Sequence, residues 1–394
     1  MLTNIGRFFT PRDRSIRSVE DAAIAWDGDT IDWAGPASEL PAGLADRDTI
    51  DCEGRAVVPG FVDSHTHLVF GGDRSAEFAR RLGGESYESL ADGGGGIQAT
   101  VAATRAAPTE ELARAALARV SRMATAGTTT VEIKTGYGLD VEHEAKMLDV
   151  IDAVDADAPV DIVPTLLAAH AFPRGVDRVE YVRFLVDELV PALADRVAFC
   201  DVFCDPAAFS VEESARVLEV AAKKDLGLRV HADQLSHGGG AALAASLGAA
   251  SADHLDHAAE ADLDALRRSG TVAVLVPGAS LSSRLPFVDA AAVWQTGVEV
   301  AIATDCNPGT SYLETMPFVI ALAVLEMGMS PDQALWAATR GGARSLRLDD
   351  RGAIEVGARA DLVVLEGDHH VDLSYRPDGN HVRHVIAGGV PLPG

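Results

Sequence analysis

Eight short apolar runs, separated by stretches of helical periodicity, occupy the middle of this 394-residue chain. They are GFVDSHTH (60–67), TTTVEIK (128–134), VDIVPTLLA (160–168), VAFCDVF (197–203), GLRVHA (227–232), SADHL (251–255), TVAVLVP (271–277) and VEVAIATD (298–305). Nearly continuous apolar character marks strands covered on both faces, hence a parallel sheet. The alanine-rich segments between them, such as VEESARVLEVAAKK (211–224), read as crossover helices. Eight such units over about 250 residues predict a (β/α)8 barrel of TIM type rather than a doubly wound sheet. No GxGxxG opens a helix after the first run, which counts against a dinucleotide fold. GGGG at 93–96 falls in a long insertion after the first strand and reads as a mobile loop over the barrel mouth.

The two ends of the chain differ from this middle. Residues 1–58 contain short β elements with turns, as in AIAWDGDTIDWAG, where Asp-Gly marks a hairpin. Residues 349–394 are similar, with GAIEVGARADLVVLEGD and HVRHVIAGGVPL. A small β-sandwich domain built from both termini is therefore expected, flanking a barrel over 59–348.

Charge narrows the classes of partner. Acidic residues number 59 and basic residues 33, a formal net charge of −26. Nucleic acid and anionic membranes both require basic side chains to neutralise phosphate, so neither is an expected partner. Carboxylates spread along the chain suit a solvated surface in concentrated salt, and a salt-loving cytoplasm is expected. Cys52, Cys200, Cys204 and Cys306 form no CxxC pair and read as small buried side chains in a reducing compartment. No run reaches the roughly 18 apolar residues of a membrane span, and MLTNIGRFFTPRDR lacks an apolar signal core, so a soluble cytoplasmic protein is expected.

In a barrel of this kind, chemistry sits where strands end. His65 and His67 close the first run, and residues i and i+2 of a strand project to the same side. His231 ends the fifth run, His254 the sixth and Asp305 the eighth. Neutral imidazoles with a carboxylate suit Zn2+, Fe2+ or Mn2+ with one position left open.

The segments PGFVDSHTH, HADQ, SADHLDH and ATDCNPG resemble the amidohydrolase superfamily. Within it, HTHLVFGGDRSAEFARRLGGESYESLADGGGGI, VEIKTGYGLD, HAFP and TDCNPGTS resemble the imidazolonepropionase family of histidine degradation, over about residues 55 to 365. The resemblance implies one catalytic metal, zinc or iron, held by His65, His67, His231 and Asp305. It implies hydrolysis of 4-imidazolone-5-propionate to N-formimidoyl-L-glutamate, with His254 and Asp305 catalytic. Arg74, Tyr137, His170, Gln234, Asn307, Gly309 and Thr310 would contact substrate. Arg74 is the expected anchor for the propionate, since a guanidinium grips a carboxylate through two parallel hydrogen bonds. Arg80 and Arg81 read as solvated helix residues. Lys134 reads as a core-edge lysine, not a carbamylated bridge to a second metal. The family resemblance also implies a homodimer.

Gln234 departs from the pattern, because the family generally has glutamate after HAD. Glutamine accepts a hydrogen bond but is no base; the position is therefore read as orienting substrate, with His254 and Asp305 left to move protons. Two rivals stay open on sequence: another amidohydrolase, such as a heterocycle deaminase or cyclic amidase, and a non-catalytic scaffold on the same barrel.

Overall fold

The chain starts with β1 (Leu2–Arg12), β2 (Ser15–Asp27), β3 (Thr30–Pro36), β4 (Ile50–Asp51) and β5 (Ala56–Pro59). The computed structural model describes residues 1–44, 46–83, 95–379 and 381–393. Gly93 and Gly94 of the expected mouth loop lie outside the described residues. Near the other end come β14 (Leu362–Leu365), β15 (Val382–Ala387) and β16 (Val390–Pro391). These strands form one mixed sheet in the order β16-β15-β14-β5-β1-β2-β3, with β4 paired to β1. Asp-Gly makes the β2–β3 turn, with Gly28 at φ 58°. Leu2, Ile24, Ile31, Val57, Leu362 and Ile386 belong to a core of the sheet's own.

A single residue, Gly60, separates β5 from the barrel. A Cβ there would overlap the side chain of Thr129, so only glycine lets the chain pass. The barrel strands are β6 (Phe61–Asp63), β7 (Thr128–Lys134), β8 (Asp161–Ala169), β9 (Phe199–Cys204), β10 (Gly227–Ala232), β11 (Ser251–His254), β12 (Val272–Leu275) and β13 (Val300–Ile302). All eight pair in chain order, each parallel to its neighbour. The expected crossover helices are present; Val211–Ala222, for example, starts at a capping box in which Ser210 and Glu213 satisfy each other's backbone N–H.

β6 and β13 are shorter than the apolar runs that contain them, because the chain bends where the ring closes. Closure occurs just beyond both strands: His67 N donates to Cys306 O (3.0 Å) and Asp305 N to His65 O (3.0 Å). The Asp63 carboxylate accepts from Thr304 N (3.1 Å) and Thr304 Oγ1 (2.6 Å). The helical stretch 331–345 lies against this seam, and a Cβ on Gly341 or Gly342 would overlap the carbonyl oxygens of Val300 and Val62. Among the described residues no helix is long and apolar enough to cross a membrane.

Candidate active site

His65 and His67 follow β6, His231 lies in β10, His254 ends β11, and Asp305 sits three residues past β13. All five are buried. His254 and Asp305 have φ of 79° and 51°, a left-handed conformation that costs a side-chain-bearing residue of order 1–3 kcal/mol. Ring closure imposes it on Asp305, whose N–H is bonded to His65.

The ligand atoms converge. His67 Nε2 is 3.3 Å from His231 Nε2, and Asp305 Oδ1 is 3.5 Å from His67 Nε2 and 3.6 Å from His65 Nε2. His65, His231 and His254 also bring ring nitrogens within 4.8 Å of one another. Tetrahedral coordination with bonds of 2.0–2.1 Å separates ligand atoms by about 3.4 Å. His65 Nε2 and both ring nitrogens of His254 are buried with no hydrogen-bond partner among the described residues. Burial holds the imidazoles of His65, His67 and His254 well below their usual pKa, so they are neutral and carry lone pairs. Burial pushes the Asp305 carboxyl upward, a cost that a cation offsets. These residues fit a divalent metal.

Beneath the site, the barrel interior holds charges that sequence reasoning missed. His65 Nδ1 is 2.6 Å from Asp253 Oδ2, and His231 Nδ1 is 3.1 Å from Asp201 Oδ2. Each carboxylate therefore directs the opposite ring nitrogen toward the site. Lys134 Nζ lies 2.8 Å from both Asp201 and Glu132, while Arg229 Nη2 lies 3.1 Å from Asp253. Lys134 is fully buried, not at the core edge as expected. Burial opposes its charge, but Asp201 and Glu132 outweigh this and hold the ammonium above its ordinary pKa.

Above the site lies a cavity of about 220 Å3, lined by His67, His231, His254 and Asp305. Arg74, Tyr137, His170, Gln234, Asn307, Gly309 and Thr310 line it too. Of the sequence-predicted residues only His65 is absent from the wall, lying fully buried below. Apolar Ile97, Phe203 and Leu235 complete the wall; Phe203 ends the fourth apolar run, but the strand-end reading took up only polar residues.

Two of these residues, His170 and Asn307, and the nearby Arg81 are held by contacts that the sequence reading did not foresee. His170 Nδ1 donates to Gly136 O (2.9 Å), and burial lowers the ring pKa to about 3. The nitrogen left for a ligand, Nε2, is thus an acceptor. Asn307 is committed to its own loop: Oδ1 accepts from Gly309 N and Thr310 N (2.8 Å each), and Nδ2 donates to Asp305 O (2.7 Å). Arg81, expected to be solvated, donates to Gly309 O (3.1 Å). In HADQ, Asp233 holds the loop beside Gln234, accepting from the backbone N–H groups of Gly238, Gly239 and Ala241.

Residues 56–392 match the amidohydrolase family. An imidazolonepropionase from Saccharopolyspora erythraea is 47% identical over 398 residues, covering 100% of this chain and 99% of the relative. One from Haloarcula marismortui is 45% identical over 382 residues, covering 95% and 91%. Among solved structures, a triazine hydrolase variant superposes with TM-score 0.78 at 19% identity, covering 99% of this chain and 94% of that one. Atrazine chlorohydrolase from Arthrobacter aurescens TC1, complexed with zinc, gives 0.72 at 18% identity with coverage of 99% and 94%. At such identities the structural likeness establishes the barrel and no more. Sequence identity near one half across both full lengths is the stronger finding: the chain belongs to the amidohydrolase family and, within it, to the imidazolonepropionases.

Proposed function

We propose that this chain hydrolyses 4-imidazolone-5-propionate to N-formimidoyl-L-glutamate in the cytoplasm. One zinc or iron ion would be held by His65, His67, His231 and Asp305. The observation that carries this reading is the sharing of one cavity by the guanidinium of Arg74 and the converging Nε2 atoms. One end suits a carboxylate and the other suits hydrolysis.

When bound, the ion supplies Lewis acidity and lowers the pKa of water from 15.7 toward ~7. The reaction adds a water oxygen to the ring carbonyl carbon, breaks the adjacent C–N bond and leaves that nitrogen protonated. Asp305 takes the water's proton on its carboxylate and delivers it to the departing nitrogen. His254 offers a ring N–H, free of other partners, to the oxyanion that develops on the carbonyl. Tyr137 stays a neutral hydroxyl, because burial raises its pKa, and can donate to substrate. His170 Nε2 accepts from a substrate N–H. Gln234 orients the ring and moves no proton.

The test is to follow loss of the substrate's absorbance together with formation of ring-opened product and ammonia. Ring-opened product without ammonia is expected. Ammonia without ring opening would replace this reading with a deaminase. Metal analysis of the purified protein distinguishes zinc from iron, and sedimentation velocity tests the homodimer that the resemblance implies.

A further inference from the structure

Arg74 is not a free cation. Its Nε donates to Glu77 Oε2 (3.0 Å), and its Nη2 is bonded to Glu77 Oε1, so the carboxylate grips one side of the guanidinium. Glu77 is buried, and Oε2 also accepts from the backbone of Gly96 (2.8 Å), the residue that opens the helix Ile97–Ala106. Burial disfavours the Glu77 anion, but the bonds from Arg74 and Gly96 hold its pKa below the ordinary value. The Arg74–Glu77 pair is neutral overall, although Arg81, bonded to the Gly309 carbonyl, also acts on Glu77. What Arg74 retains is directional: one hydrogen on Nη2 and two on Nη1.

Gly309 sets the position of that remaining edge. A Cβ on Gly309 would overlap Arg74 Nη1 and lie 3.0 Å from Cζ. The φ of Gly309 is not in the left-handed region, so glycine is required there for space and not for conformation. Gly309 cannot yield, since Arg81 Nη1 holds its carbonyl (3.1 Å) and Asn307 Oδ1 holds its N–H (2.8 Å). Arg74 cannot yield either without leaving Glu77.

We infer that Glu77 and Gly309 are positioning residues that clamp Arg74 so that only its outer edge meets the cavity, making the enzyme selective for substrates whose carboxylate arrives end-on. This rests on the reading of Arg74 as the carboxylate anchor. The selectivity comes from the direction of the hydrogen bonds left on the outer edge of the guanidinium.

The experiment measures kcat/KM for 4-imidazolone-5-propionate and for the analogue with methyl in place of the propionate, in wild type and in Arg74→Met, Glu77→Gln and Gly309→Ala. Circular dichroism first establishes that each variant is folded. Arg74→Met should lower the propionate-to-methyl ratio by at least about tenfold, and Glu77→Gln and Gly309→Ala by about tenfold, mainly through KM. If Arg74→Met lowers the ratio and folded Gly309→Ala and Glu77→Gln leave it within about twofold, the clamp is wrong while the anchor stands. If Arg74→Met itself leaves the ratio unchanged, the anchor falls and the clamp falls with it. Should Glu77→Gln fail to fold, Gly309→Ala decides alone, because its added methyl removes no polar group and acts only by displacing Arg74.

Discussion

His65 Nδ1 lies 2.6 Å from Asp253 Oδ2, and both side chains are completely buried. The carboxylate fixes the ring's tautomer and orientation and raises the basicity of Nε2. Asp253→Asn should therefore weaken metal binding by about 10- to 100-fold, a typical cost of losing such a partner. Competition against a chelator measures it, and an affinity within about twofold of wild type would show that Asp253 serves only the fold.

Lys134 makes a different prediction, about stability. It neutralises Glu132 and Asp201, all three side chains being fully buried, so Lys134→Met leaves buried carboxylates uncompensated. A loss of about 3–5 kcal/mol in unfolding free energy is expected. Adding Glu132→Gln to Lys134→Met should recover part of it, whereas strictly additive losses would count against direct pairing.

At Gln234 the prediction is a small effect. If the position orients the ring, Gln234→Glu changes turnover by only a few-fold. A gain of about a hundredfold, the usual contribution of a general base, would transfer the proton work from Asp305 and His254 to this position.

Asp361 directly precedes β14 of the terminal sheet, and its carboxylate accepts from Gly388 N (2.8 Å) while its other oxygen has no partner among the described residues. Burial pushes its pKa up from 3.8 to about 6. Its ionisation is thus disfavoured in the fold, and its contribution to stability, present below pH 3.8, is lost as pH rises through about 6. Asp361→Asn should melt higher than wild type at pH 8, with the gap closing toward pH 4. A gap independent of pH would assign the effect to packing.

The acidic surface predicts salt dependence. Raising salt from about 0.1 M to about 1 M shortens the Debye length from about 10 Å to 3 Å and screens carboxylate repulsion. Melting temperature and activity should both rise over that range. Equal stability and activity without added salt would end the expectation of a salt-loving protein.

The barrel was legible because parallel strands covered on both faces leave long apolar runs, and the metal-ligand candidates because they end those runs. The charges below them had a signal too. Glu132 and Lys134, and Arg229 and His231, stand two apart within their strands, so each pair faces the same way. Charge in the middle of an apolar strand pointing at the site marks an interior ion-pair network. Arg74 and Glu77 stand at i,i+3 spacing and Asn307 bonds only within 305–310, so both pairings were open to a local reading. The tautomer of His170 depends on the carbonyl of Gly136, 34 positions away, which residue spacing does not encode.

The seam of the barrel has one more consequence. Asp63 and Thr304, which help to close the ring, are 241 positions apart in the chain. His65 and His67 come from one lip of that seam and Asp305 from the other, so whatever grips all three acts as a clasp on a very long loop. Ligation there ties the two ends of the barrel's chain together much as a covalent cross-link would, and the same contact that readies the site for chemistry shuts the barrel.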